Sequence, residues 1–81
     1  MNVTVTKKDI NEGIVAHCHQ CPVALAIHNE LNVELNDIVV TPIQISVLDV
    51  KYRVPTRVAR FIRAFDGGSD VRPFAFRLQR A

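Results

Sequence analysis

The segment PTRVARFIRAF, residues 55–65, carries the clearest helical pattern in the sequence. Its large apolar residues recur at i, i+3, i+4 and i+7, and they are Val58, Phe61, Ile62 and Phe65. At 100° per residue they cover an arc of about 100°, whereas three arginines lie on an arc centred roughly 150° away. These arginines are Arg57, Arg60 and Arg63. The pattern predicts a helix with one face in the core and a basic face outside.

The sequence around this helix predicts strands. After Pro73, apolar and polar residues alternate over 74–79, which is typical of a strand with one buried face. Before the helix, residues 37–41 and 43–47 are rich in valine and isoleucine, and Pro42 between them indicates a bulge or an edge. A turn at 48–50 then leads into a third strand at 51–54. These segments predict a hairpin or meander.

The N-terminal part completes the pattern with one strand, one short helical turn and one helix. Residues 2–6 alternate, and Thr6 is placed to cap a turn that runs through Glu12. Pro22 suits the first position of a helix that extends to about Leu31. The order predicts a single α+β domain over residues 1–81. We expect a mainly antiparallel sheet of three to four strands, two helices and the short helical turn.

Length and composition exclude several classes of protein. The chain has 81 residues, of which 48% are hydrophobic and 22% charged, so it is too short for two domains and too apolar for a disordered chain. A domain this small has little stability to spare, so we expect a homo-oligomer. The longest apolar run is five residues, far below the roughly 20 that a membrane span needs. With no export signal visible, we expect a cytoplasmic protein with free thiols.

Charge divides the chain at Asp49. Residues 1–49 carry two lysines against six acidic residues, a net charge of −4, whereas residues 50–81 carry one lysine and seven arginines against two aspartates, a net charge of +6. All five aromatic residues also lie between Tyr52 and Phe76. Because arginine contacts phosphate in bidentate fashion and aromatic faces stack on bases, this half suits a phosphorylated ligand or nucleic acid. The predicted ligand-binding residues are Tyr52, Arg53, Arg57, Arg60, Arg63 and Arg72.

Two other interpretations of the arginines remain open: a solvated helix face, and a surface that docks an acidic protein. The sequence carries no paired carboxylates, no Ser-His-Asp order and no phosphate-binding glycine loop. We therefore assign no catalytic residue, no metal ligand and no cofactor, and expect a protein that is not an enzyme.

Cys18 and Cys21 have the C-x-x-C spacing of zinc and redox sites, and His17 and His19 flank the first cysteine. Zinc would need two more ligands, and His28 lies about 10 Å further along the predicted helix at 1.5 Å per residue. A Cys-His nucleophile or redox pair is the second alternative, because a helix N-terminus can lower the pKa of Cys21. The simplest interpretation is that both thiols pack beside the helix start.

Four segments together resemble a family of small, uncharacterised tailed-phage proteins, and they span nearly the whole chain. They are CPVALA at 21–26, YRVP at 52–55, FIRAFDGG at 61–68 and VRPFAFRL at 71–78. The resemblance implies an accessory protein made in an infected bacterial cell, and it brings no catalytic residues. The histidines beside Cys18 depart from the family pattern.

The sequence and the resemblance lead to a hypothesis with two alternatives. The protein is interpreted as a non-enzymatic counter-defence factor that sequesters a phosphorylated nucleotide-type host signal in a pocket shared between subunits. The first alternative is an inhibitor or adaptor that docks an acidic host protein surface. The second is weak nucleic-acid binding, disfavoured because the isoelectric point of about 8.8 lies below the usual value near 9 and no recognition-helix signature is present.

Overall fold

The computed structural model describes residues 1–81 as five strands, three α-helices and one 3-10 turn at Leu35–Asp37. The strands are β1 (Asn2–Val5), β2 (Ile38–Val40), β3 (Ile45–Val47), β4 (Val50–Tyr52) and β5 (Phe74–Arg77). The helices are α1 (Lys7–Glu12), α2 (Pro22–Leu31) and α3 (Thr56–Asp66). This arrangement confirms the predicted α+β class. None of the helices has the length and apolar character needed to cross a bilayer.

Every strand pairing is antiparallel, and the strands form a two-stranded sheet, β1-β5, and a three-stranded meander, β2-β3-β4. A bridge between Tyr52 and Arg80 connects them, because the chain after β5 turns its backbone towards β4. There the Arg53 N–H donates to the Gln79 carbonyl at 2.9 Å, and the Ala81 N–H donates to the Lys51 carbonyl at 3.1 Å. The five strands therefore follow one spatial order, β1-β5-β4-β3-β2.

The meander is shorter than the sequence predicted, and local hydrogen bonds account for the differences. Thr41 Oγ1 accepts the backbone N–H groups of Ile43 and Gln44 at 3.2 and 2.9 Å, so this segment is a turn and β3 begins only at Ile45. Leu48 and Asp49 have φ values of 50° and 65°, which closes a two-residue hairpin. Strand β4 therefore begins one residue earlier than the predicted 51–54.

The core lies on one face of the sheet and is built largely around α2. This helix contacts both β1 and β2, the two outermost strands, so the sheet curls around it. Its buried face carries Val23, Ala24, Ala26 and Ile27, all fully shielded from solvent. The large fully buried side chains that surround this face come mainly from the strands and α3, and include Val3, Val5, Ile38, Ile45, Val58 and Phe76.

The short helix α1 is held at its start by a capping box. The Asp9 N–H donates to Thr6 Oγ1, and Asp9 Oδ2 accepts the Thr6 N–H at 2.9 Å. Asp9 is only 3% exposed, and its other carboxylate oxygen accepts a hydrogen bond from Asn29 Nδ2 at 3.0 Å. One carboxylate thus caps α1 and joins it to α2.

Candidate functional site

The basic face predicted for α3 is present. Arg57, Arg60 and Arg63 are exposed along one side of the helix, opposite the buried Val58, Phe61 and Ile62. We call these three arginines the α3 basic face. It exists because arginine recurs every three residues while the apolar residues follow the i, i+3, i+4 pattern.

Arg57 is oriented by the C-terminal strand. Its guanidinium donates to the Ala75 carbonyl and lies over the Phe74 ring, 5.8 Å from the ring centroid. The Phe74 ring in turn packs against Phe61 at a centroid distance of 4.7 Å. Arg60 and Arg63 make no hydrogen bond or ion pair within the chain. The face therefore combines one pre-positioned guanidinium with two that are free to bind.

The other predicted binding residues lie on different elements. Tyr52 is half-buried against the core at the end of β4. Arg53 follows it, exposed, with Nε 3.5 Å from the Arg80 carbonyl. Arg72 is exposed in the segment between α3 and β5. The structure thus places the three helix arginines on one face of α3 and these three residues on other segments, and no hydrogen bond joins the two groups.

No arginine is neutralised within the chain. The one ion pair is Lys8–Glu12, with both side chains exposed and a separation of 4.0 Å. Two cavities are present, of about 180 and 170 Å³, and no arginine lines either of them. In the single chain the α3 basic face is consequently a surface with unpaired positive charge and without a pocket.

The aromatic residues are used mainly for packing. Phe61 and Phe76 are 8% and 2% exposed, and Phe65 stacks on Phe61 with the ring planes 7° apart. Phe74 is partly buried beneath the Arg57 guanidinium. The sequence suggested that aromatic rings stack on nucleobases. The phenylalanine rings already pack against each other, so stacking on a base would have to replace these contacts.

The larger cavity lies beside the two cysteines. It is lined by residues of the loop before α2, the end of β2 and the end of α3, among them His17, Cys18, Cys21, Thr41, Ile62 and Asp66. Asp66 Oδ1 accepts the Ala16 N–H at 2.9 Å and so ties this loop to α3. Asp66 was not among the residues predicted from the sequence, because nothing local connects two residues that are 50 positions apart.

The sequence suggested that the helix N-terminus could lower the pKa of Cys21, and the structure corrects this. Cys21 caps α2 but is only 4% exposed, and burial raises the pKa of its thiol. The backbone N–H groups of Ala24 and Val23 at the start of α2 act to lower the pKa, but burial outweighs them. The buried thiol is therefore a weak nucleophile near neutral pH.

The histidines are engaged in local hydrogen bonds. His19 Nδ1 lies 2.7 Å from the Ile38 carbonyl, and His28 Nδ1 lies 2.6 Å from the Val33 carbonyl. His17 Nδ1 accepts the His19 N–H at 3.3 Å. The chain contains no group of three or more His, Cys, Asp or Glu side chains placed to hold a metal ion.

Comparison of the chain with protein-family models, curated proteins and solved structures finds no match. The geometry of the α3 basic face and of the cavity is therefore what bears on function. Of the two, the cavity is lined by the buried thiol of Cys21 and by His17, whose Nδ1 already accepts a hydrogen bond, whereas the α3 basic face has charge without an ion-pair partner. Three like charges on one exposed face create a positive potential that attracts an acidic partner.

Burial predicts that the two cysteines differ in reactivity. We expect Cys18, which is partly exposed, to react readily with a thiol reagent at pH 8, and Cys21 to react at least tenfold more slowly. Timed alkylation of Cys18→Ser and Cys21→Ser variants followed by mass spectrometry measures each thiol alone. In denaturant both should react at similar rates. Equal rates in the folded protein would contradict the assignment of Cys21 as a packing residue.

Proposed function

We propose that the protein is a non-enzymatic phage accessory factor that binds an acidic surface of a host protein through the α3 basic face. The observation that carries the proposal is the set of exposed arginines without an acidic partner in the chain. Binding would not have to break an internal ion pair, so the full electrostatic attraction remains for the partner. The absence of any arginine-lined cavity favours a broad partner surface over a small ligand.

The physical chemistry of arginine supports the same proposal. Arginine is enriched in protein interfaces, since its planar fork makes bidentate contacts with carboxylates and it is weakly hydrated. Arg57 is held by Ala75 and Phe74, so less side-chain entropy is lost when it binds. The resemblance to tailed-phage proteins supports a partner in the cytoplasm of an infected bacterium.

Sequestration of a phosphorylated nucleotide is the second candidate, favoured by the pre-positioned Arg57 beside an aromatic ring. It requires a second chain, or another partner, to close a pocket over the α3 basic face. Calorimetry with cyclic nucleotides and ADP-ribose derivatives separates the two candidates. Binding that is lost when the α3 basic face is altered would favour sequestration. If none of the compounds binds, the result counts against sequestration.

Charge reversal of the α3 basic face tests the main proposal. We expect Arg57→Glu, Arg60→Glu and Arg63→Glu combined to weaken binding of a captured host protein by at least tenfold, because repulsion replaces attraction. The partner is first identified by pull-down from host lysate, and its affinity is then measured with purified protein. Folding of the variant is checked by circular dichroism.

A matched control keeps the change in net charge and moves it elsewhere. Lys7→Glu, Lys8→Glu and Lys51→Glu combined also reverse three exposed cations, and these lie on α1 and β4. The control should retain affinity within about threefold, since screening limits exposed charges to a range of about 8–10 Å at physiological salt. Equal losses in the two variants would indicate non-specific attraction, and no loss in either would overturn the proposal.

A further inference from the structure

Strand β1 has an open edge. In the β1-β5 ladder the Leu78 N–H donates to the Met1 carbonyl at 2.8 Å, and residues 2–5 pair with 77–74 in the same register. In an antiparallel pair, hydrogen-bonded residues alternate with residues whose backbone groups face away. Val3 and Val5 therefore bond to β5, while the N–H and C=O groups of Asn2 and Thr4 face outward. No hydrogen bond in the chain occupies these four groups.

The opposite edge of the sheet is closed, which makes the open edge of β1 distinctive. On β2 the outward N–H of Val40 donates to the Cys18 carbonyl at 2.8 Å. The outward carbonyl of Ile38 lies 2.7 Å from His19 Nδ1. The loop before α2 thus covers β2. Strand β1 has no such cover, and within Asn2–Val5 it has neither the charge nor the proline that usually protects an edge strand.

We propose that β1 pairs antiparallel with β1 of a second copy of this chain. A two-fold axis through Val3 places Asn2 opposite Thr4 of the partner subunit, and Thr4 opposite Asn2 of the partner subunit. This register forms four backbone hydrogen bonds and satisfies all four outward groups of each strand. Shifting the axis to Thr4 would place Asn2 opposite Thr6 of the partner subunit. In this chain the Thr6 N–H and C=O are already bonded to Asp9 and Ile10, so the axis through Val3 is favoured.

The exposed side chain of Met1 supports a second copy as the occupant. Met1 is 66% exposed although it is large and apolar. In the proposed register Met1 lies opposite Val5 of the partner subunit, on the core face of the joined sheet. The non-hydrogen-bonded positions of an antiparallel pair bring such side chains closest together. A second β1 therefore matches both the hydrogen-bonding pattern and the apolar residue at the end of the strand.

Thr4→Pro tests the proposal because it removes an N–H that the folded chain does not use. We expect the weight-average mass of the unaltered protein in sedimentation equilibrium to rise from 9.1 kDa towards twice that value as concentration increases. Thr4→Pro should lower the dimer fraction at least tenfold while its circular dichroism stays that of the unaltered protein. Asn2→Pro removes the other outward N–H and is the variant to measure if Thr4→Pro does not fold.

Hydrogen exchange gives a second measurement on the unaltered chain. The amide of Thr4 should exchange freely in dilute solution and at least tenfold more slowly at concentrations where the mass has doubled. The amide of Val3, which bonds within the chain, should be protected at both concentrations. A mass that stays at one chain up to millimolar concentration would overturn the proposal. So would dimerisation with the Thr4 amide still exchanging freely.

Discussion

Replacing Phe76 with alanine should destabilise the protein by about 3–5 kcal/mol, the usual loss for a buried phenylalanine. Phe76 is 2% exposed, pairs with Val3 across the β1-β5 ladder and lies 5.9 Å from the Phe74 ring. An 81-residue domain has a free energy of unfolding of only about 4–12 kcal/mol at the usual value per residue. The substitution therefore removes a quarter or more of the total stability, and in the weaker part of this range it unfolds the protein.

Denaturant titration and thermal unfolding measure this loss. The midpoint temperature should fall by more than about 10 °C, since each kcal/mol shifts it by about 4–8 °C in a domain of this size. Arg77→Ala is the matched control, because Arg77 is the next residue of β5 and is exposed. It should change stability by less than about 0.5 kcal/mol. Equal stability of the two variants would show that β5 does not anchor the core.

Gly13→Ala should also destabilise the protein, by about 1–3 kcal/mol, through overpacking. A Cβ at Gly13 would lie 2.5 Å from Pro22 Cδ, 2.6 Å from Cγ and 2.8 Å from the backbone nitrogen. The proline ring is rigid and begins α2, so the clash moves the helix or the loop that lines the larger cavity.

The sign of the effect distinguishes the clash from ordinary glycine behaviour. Gly13 has φ −66°, which any residue can adopt. Without a clash, alanine at such a site would stabilise the protein by about 0.4–1 kcal/mol, since it reduces the entropy of the unfolded chain. Urea unfolding measures the difference. Stability equal to or above that of the unaltered protein would show that a Cβ at position 13 fits beside Pro22 and that the expected clash does not occur.

Local elements could be predicted from the sequence with small errors. Helix α2 was predicted from Pro22 to about Leu31 and occupies that range, because a proline at its start and an αL Asn32 at its end are local signals. Helix α3 extends one residue beyond its predicted end at Phe65. The β2-β3 segment was predicted less well, because the Thr41 side chain forms a turn that composition alone does not show.

The candidate site could be predicted only in part. The α3 basic face follows directly from the spacing of three arginines, and the structure exposes all three. The contact of Arg57 with Ala75 and Phe74 could not be predicted, since it depends on where β5 lies beside α3. The raised pKa of Cys21 has the same origin, because its burial depends on segments distant in sequence.

The sequence by itself determined the helices, the strand-forming segments and the basic face, because these depend on side chains within a few residues of each other. Only the tertiary structure decided that β1 pairs with β5, which leaves the other edge of β1 open, and that the loop before α2 closes the edge of β2. It also decided that Asp66 accepts a hydrogen bond from the loop before α2, and that the larger cavity lies between this loop and the end of α3. Such contacts join residues dozens of positions apart, and their partners are selected by burial of the whole core, which no local pattern encodes.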